Sequence, residues 1–377
     1  MSNPLSRLRR QLPRKGGALF TSPLAGEVAR AAGRRGSILL CALSLLLSLT
    51  ACAPKIEPHA TTIFAMDTVM NLTVYGEKEA LDRAVEDIYH MERQFSATVE
   101  DSLVARLNRG ETVSPSLVLQ ELLDQSLALC ERTGGALDLT AYPATQAWGF
   151  STGEYRVPGD EELECLADGI DYTQIKLIYG ENGRCELTLP AGTQMDLGAV
   201  AKGYAGDTLA GDLRNAGVTS ALLDLGQSSI QAVGAKPDGS PWRIGIQDPH
   251  GESYLGVLEL NDQAMGTSGS YQRYFEQGGV RYCHIIDPKT AAPARSGLSS
   301  VTVVAKSCLV CDGLSTALFV MGLEESAEFW RGAQNDPDLA FEAIFIEDNG
   351  AISVTSGLKD AFSLAEGYTD REVTVLE

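Results

Sequence analysis

Histidine is scarce in this chain: 377 residues hold four, at positions 59, 90, 250 and 284. A metal centre built from several imidazoles is therefore excluded. Cysteine is commoner, at eight residues, but Cys308 and Cys311 form the only close pair and no second Cys or His pair stands by to complete a zinc site. A chain of this length also has no need of disulfide staples, so Cys130, Cys165, Cys185, Cys283, Cys308 and Cys311 read as small apolar residues. Positive charge is lacking too. Lys and Arg number 30 against 50 Asp and Glu, a net charge of −20. Eight of those cations and a single acid fall within residues 1–51, which leaves the rest with 22 against 49, or −27. So acidic a body excludes nucleic acid, whose phosphates demand Lys and Arg. A polyanionic ligand must then be held by a local device such as a cation or a helix N-terminus. No apolar run is long enough to span a membrane as a helix, and there is neither an internal repeat nor a low-complexity tract.

What the sequence does have begins with a basic flank running into the apolar stretch Ser37 to Cys52. That is the layout of a signal peptide. Its end, Leu49-Thr50-Ala51-Cys52, resembles the bacterial lipobox, in which Cys52 would be lipidated and become the first mature residue. The alternative is an uncleaved N-terminal anchor. Both place the body outside the cytoplasmic membrane and tethered to it, facing the periplasm or the exterior. The expected organisation is a signal peptide over 1–51, a linker over 52–60, one domain over 61–365 and a C-terminal tail over 366–377. Within the domain, Thr61–Tyr75 alternates as a strand and Glu77–Ala97 has helical periodicity. Ser114 and Pro115 read as the N-cap and first residue of a helix ending near Arg132. Beyond about residue 170 short apolar runs separated by turns predict strands, at 175–179, 186–189, 221–225, 242–246, 255–260, 284–286 and 301–305. Helices are expected at 199–215 and 312–321, and a hairpin pairs 341–346 with 352–355. Strands follow strands more often than they alternate with helices, which predicts an α+β fold with largely antiparallel sheets and packed helices.

Three stretches carry chemistry. In Asp196-Leu197-Gly198-Ala199-Val200-Ala201-Lys202-Gly203 the small residues permit a ligand close to a helix N-terminus, with Lys202 as an added charge. Equally, they permit a neighbouring element to pack closely. In His284-Ile285-Ile286-Asp287-Pro288 a histidine and a carboxylate stand at a strand end, as a general base with its partner or as an ordinary turn. Asp312 and Thr316 lie one helical turn apart, two hard oxygen donors suited to Mg²⁺. They also fit an Asp N-cap and a Thr bonded back to the helix.

Together these stretches resemble the ApbE-type FAD:protein FMN transferases, over about residues 61–365. The resemblance extends to Met66-Asp67-Thr68, Ala136-Leu137-Asp138-Leu139 and Thr267-Ser268-Gly269. It implies the ApbE-like fold, and contacts to FAD from Met66, Ala136, Leu137, Asp138, Asp196, Lys202, Ser268 and Ile285. It further implies Mg²⁺ held by the Ala199 carbonyl, Asp312 and Thr316, and a base at His284, Asp287 or both. The pattern departs from the family at Asp67, Thr98, Leu139 and the loop Asp224-Leu225-Gly226-Gln227-Ser228. The implied activity is Mg²⁺-dependent transfer of the FMN part of FAD to a Ser or Thr hydroxyl, with release of AMP. Acceptors would be flavoproteins such as subunits of membrane redox complexes. Two other outcomes remain open for such a sequence: hydrolysis of FAD to FMN and AMP, and flavin binding without catalysis.

Overall fold

The strand Leu298–Ala305 is buried along its whole length, which requires cover on both faces of its sheet. The computed structural model describes residues 57–180 and 185–377, so the signal peptide and Cys52 lie outside the described residues. In chain order, the hairpin β1 (His59–Ala65) and β2 (Thr68–Val74) precedes five helices. These are α1 (Lys78–Phe95), α2 (Leu103–Asn108), α3 (Leu117–Arg132), α4 (Tyr142–Ala147) and α5 (Asp160–Asp168). The pair β3 (Lys176–Tyr179) and β4 (Cys185–Thr188) leads to α6 (Ala201–Asn215). Then come β5 (Ala221–Asp224), β6 (Ser229–Val233), β7 (Trp242–Gln247), β8 (Tyr254–Leu260) and β9 (Ala264–Gly269). The hairpin β10 (Tyr274–Gln277) and β11 (Val280–Cys283) is followed by β12 (Ile286–Asp287), β13 (Ala292–Pro293) and β14 (Leu298–Ala305). Helices α7 (Cys308–Met321) and α8 (Leu323–Ala333) come next, before β15 (Glu342–Glu347), β16 (Ile352–Thr355), β17 (Phe362–Leu364) and β18 (Val373–Leu376).

Nine strands form one sheet in the order β1-β2-β5-β6-β9-β14-β15-β16-β18, antiparallel except for the last pair. Side chains alternate across it. Val301, Val303, Ala343 and Phe345 join the core under the helices. Val304, Ile344, Ile346 and Val354 face the small sheet β17-β8-β7, where they meet Trp242, Leu258 and Phe362. The fold is α+β, as expected, with helices on one face and strands on the other. Residues 366–377, set apart in sequence as a tail, supply the edge strand β18.

Four local expectations are corrected. Thr61–Tyr75 is a hairpin, because Met66 and Asp67 both take left-handed backbone conformations, at φ 50° and 59°, the geometry of a two-residue turn. The helix expected from Pro115 starts at Leu117, capped by Ser116, whose oxygen accepts the Leu119 N–H. The run at 284–286 is not one strand, since His284 and Ile285 link β11 to β12. The helix expected from Asp312 starts four residues earlier at Cys308, with Ser307 as its cap, so Asp312 is no N-cap.

Candidate functional site

Helix α7 packs against β9, β14 and α6, and this places Asp312 in its second turn, buried with 5% of its surface exposed. One carboxylate oxygen accepts the Gly203 N–H at 2.7 Å and the other accepts the Ser229 hydroxyl at 2.5 Å. Lys202 Nζ stands 3.8 Å away. Burial pushes the Asp312 carboxyl above its ordinary range, while Lys202 and the two hydrogen bonds pull it down. One turn on, Thr316 Oγ1 lies 3.4 Å from the Asp312 carbonyl and 3.1 Å from Ser268 Oγ, which also meets Ser315 Oγ at 2.9 Å. Asp312, Thr316 and Ser268 therefore form one oxygen-lined cluster on α7 and β9.

The small residues of the 196–203 stretch divide by role. A Cβ at Gly203 would stand 2.4 Å from the Cys308 carbonyl oxygen, and one at Gly206 would press on the Cys308 side chain. These two glycines serve the close approach of α6 to α7, and so bring the Gly203 N–H to Asp312. Gly198 is exposed, and a Cβ there meets only the Asp196 side chain. The Gly198 N–H donates to Asp196 Oδ1 at 2.8 Å, and the Gly198 carbonyl accepts from Lys202 Nζ at 3.2 Å. Ala199 lies half-buried in the turn that opens α6. Burial raises the Asp196 carboxyl, opposed by the Gly198 N–H, Lys202 and Arg273 and reinforced by the charge of Asp67. Asp67 belongs to the β1–β2 turn, so that turn reaches the same place. There the Met66 N–H is held by Glu92 at 2.6 Å.

His284 follows β11 directly. Its N–H and its ring Nδ1 both face the Arg273 carbonyl, at 3.0 and 3.2 Å. Burial, the charge of Arg273 and that of Lys202 push the imidazole down to about 4, although the carbonyl bond favours its protonated form. An imidazole so lowered is neutral at physiological pH, the form able to accept a proton. Asp287 accepts the Lys289 N–H at 2.9 Å and the Thr290 hydroxyl at 3.2 Å, tying its own turn. Among the described residues no hydrogen bond joins Asp287 to His284. Ile285 is buried at 5% exposure in the main core, and it is the next residue, Ile286, that packs with the aromatic group Trp148, Phe150, Phe275 and Tyr282, where Phe150 meets the His284 ring edge to face.

Ala136 and Leu137 are buried in the main core. The Asp138 carboxylate is spent on the Thr140 N–H and hydroxyl and on the Tyr172 N–H. This segment adjoins the 196–203 stretch, because the Asp196 N–H donates to the Leu139 carbonyl at 2.9 Å. Sequence reasoning missed Ser229, Ser315, Glu92 and Arg273, none of which carries a local signal. It also missed Asp207, which accepts from the Ser307 hydroxyl and from the N–H groups of Cys308 and Leu309, capping α7 from α6. Cys308 and Cys311 are free, buried thiols, and burial pushes both well above the ordinary thiol range.

The donor set fits a hard cation. It offers one carboxylate, hydroxyls and main-chain oxygen, and no nitrogen or sulfur ligand. Among the described residues there is no group of three or more His, Cys, Asp or Glu that could hold a metal ion. A cation at Asp312 and Thr316 would draw its remaining ligands from main-chain oxygen, substrate and water, as Mg²⁺ commonly does.

Fold and site together define a class: a sheet whose central strand and helix gather a carboxylate–hydroxyl cluster, a glycine-bearing helix start and a neutral histidine. The chain belongs to the ApbE family, whose model matches residues 66–341. The FAD:protein FMN transferase of Vibrio cholerae is 35% identical over 304 residues, covering 76% of this chain and 88% of that protein. That of Treponema pallidum is 30% identical, covering 86% and 94%. Among solved structures, the ApbE protein of Thermotoga maritima superposes with a TM-score of 0.72 at 29% identity, over 81% of this chain and 99% of that one. The flavinyl transferase ApbE of Pseudomonas stutzeri gives 0.70 at 29%, over 82% and 98%.

Proposed function

We propose that this chain transfers the FMN part of FAD to a Ser or Thr hydroxyl of an acceptor flavoprotein and releases AMP, with Mg²⁺ as cofactor. One observation carries the reading: the Asp312 carboxylate accepts the Gly203 N–H, joining the α7 cluster to the 196–203 stretch beside a neutral His284. The names of the relatives support the same activity. Asp312, Thr316 and the Ala199 carbonyl would hold the cation, which when bound supplies charge neutralisation at the pyrophosphate. Lys202 holds a positive charge on the same side, where a −27 body would otherwise repel the substrate. The Arg273 carbonyl can only accept, so Nδ1 of His284 carries the ring proton and Nε2 is the open nitrogen. The acceptor hydroxyl attacks the flavin-side phosphorus and gives its proton to Nε2. A new O–P bond forms as the bond from that phosphorus to the bridging oxygen breaks, and the electron pair leaves on AMP. Asp287 keeps the turn after His284 in place and takes no proton.

The lipobox reading makes the protein a lipid-anchored one acting outside the cytoplasmic membrane, with membrane redox-complex subunits among its acceptors. Among the described residues no helix is long and apolar enough to cross a membrane. The test is incubation of the purified chain with FAD, Mg²⁺ and a candidate acceptor, followed by in-gel flavin fluorescence and intact mass. An acceptor heavier by one FMN phosphoryl group is expected. FMN and AMP appearing in solution with every acceptor left unlabelled would make the enzyme a hydrolase, and FAD bound but uncleaved would make it a binding protein.

A further inference from the structure

Helices α6 and α7 meet where a Cβ at Gly203 would stand 2.4 Å from the Cys308 carbonyl oxygen and one at Gly206 would lie 3.0 Å from Cys308 Sγ. At that contact each helix presents a first-turn N–H and, four residues on, a carboxylate: Gly203 and Asp207 on α6, Cys308 and Asp312 on α7. The pairs close crosswise. Asp312 Oδ2 accepts the Gly203 N–H and Asp207 Oδ1 accepts the Cys308 N–H, both at 2.7 Å. First-turn N–H groups have no partner within their own helix, so each helix caps the other. Asp207 Oδ2 adds the Leu309 N–H at 3.0 Å and the Ser307 hydroxyl at 2.6 Å. We propose that this reciprocal latch positions the cation site, with Asp207 as the positioning residue that holds Asp312 in register for Mg²⁺.

This rests on the reading of Asp312 as the carboxylate that holds the cation. Under that reading the protein ligands come from two helices, the Ala199 carbonyl from the turn that opens α6 and Asp312 with Thr316 from α7. Their spacing is then the offset of one helix against the other. Gly203 and Gly206 decide how near the helices come, but an absent side chain fixes no register. The two crosswise bonds do fix it, and one of them is made by Asp312 itself. Cation binding at Asp312 and the packing of α6 on α7 are therefore linked, and whatever loosens the packing weakens the binding by the same coupling factor.

The experiment is isothermal titration of Mg²⁺ into the full chain and its variants, with thermal melts alongside. Asp207→Ala is expected to bind Mg²⁺ about 10-fold more weakly, the lower end of the range for partners that orient a metal ligand. Asp207→Asn keeps an acceptor for the Cys308 N–H but sets an amide donor against that of Leu309, so its affinity is expected to fall between Asp207→Ala and the unsubstituted chain. Ser116→Ala is the control for lost stability: it removes the cap of α3, and among the described residues the Ser116 hydroxyl bonds only Leu119 and Gln94. It should lower Tm and leave Mg²⁺ affinity unchanged. Full affinity in both Asp207 variants, with binding abolished in Asp312→Ala, overturns the latch alone, and so does an equal loss of affinity in Ser116→Ala. Full affinity in Asp312→Ala removes the metal assignment and the latch proposal with it.

Discussion

Asp312 is a carboxylate with both oxygens already engaged, one by a backbone N–H and one by a hydroxyl, yet each oxygen keeps a lone pair. Such a group can hold a cation without moving. Asp312→Ala leaves the Gly203 N–H and the Ser229 hydroxyl unpaired in the core and removes the only carboxylate of the cluster. Mg²⁺-dependent transfer is expected to be lost, and isothermal titration of Mg²⁺ into the variant to show no saturable binding. His284→Gln is expected to slow transfer by ~10²–10⁴-fold, the range for loss of a general base, with FAD binding retained. The sign of the pH effect follows from the lowered imidazole. Between the ordinary 6.5 and about 4 the unfolded chain takes up a proton that the native chain refuses. Stability from this group is therefore lost as pH falls through that window, while the base itself stays competent above about 4. Thermal melts from pH 7 to pH 4.5 should show a downward drift in Tm that His284→Gln reduces. At this scale the sequence motifs single out candidate atoms, as at Asp312, Thr316 and His284. The sequence was silent on Ser229, 83 residues from Asp312, and on Arg273, whose carbonyl meets His284 only once the β10–β11 hairpin has formed.

Between α6 and α7 the contact is nearly backbone on backbone, and two residues make it so. Gly203 leaves room for the Cys308 carbonyl, and Asp207 caps the first turn of α7 with three hydrogen bonds. Gly203→Ala is expected to separate the helices, costing about 1–3 kcal/mol as overpacking does. Asp207→Ala is expected to cost about 1–2 kcal/mol as a lost cap. Denaturant unfolding measures both, and Asp207→Asn should recover part of the second. The buried half of α7 was legible from its apolar run, with Leu318 and Phe319 in the core and Gly322 closing the helix at φ 82°. Its true start was not, because Cys308, Leu309 and Val310 resume the apolar character of the preceding strand after only Lys306 and Ser307. The β1–β2 hairpin was hidden for a related reason. Met66 and Asp67 adopt left-handed backbone without the Asn or Gly that usually signals it, so the alternation of Thr61–Tyr75 reads as unbroken. Within the glycine stretch the two residues differ, Gly198 being exposed and Gly203 packed against Cys308.

Across the whole molecule, stretches far apart in sequence are tied in pairs, Asp312 to Gly203, Thr316 to Ser268 and Asp196 to Leu139, and only the fold brings them together. The sequence order of the motifs pointed to the family, while the physical links between them, such as Asp196 to Leu139 and Asp312 to Gly203, are long-range and carry no local pattern. The net charge of −20 opposes the approach of a pyrophosphate, which the proposed Mg²⁺ would offset. Chelation with EDTA is accordingly expected to stop transfer and added Mg²⁺ to restore it, with the thermal melt of the apo chain showing that the fold survives. The central claim is that cleavage of FAD is coupled to labelling of a protein. It is tested most directly by quenching a reaction of the purified chain, FAD, Mg²⁺ and acceptor at intervals, and counting AMP released against FMN-bearing acceptor. One AMP per labelled acceptor, with AMP release falling away when the acceptor hydroxyl is replaced by Ala, is the expected result. AMP produced at an undiminished rate without that hydroxyl would contradict it.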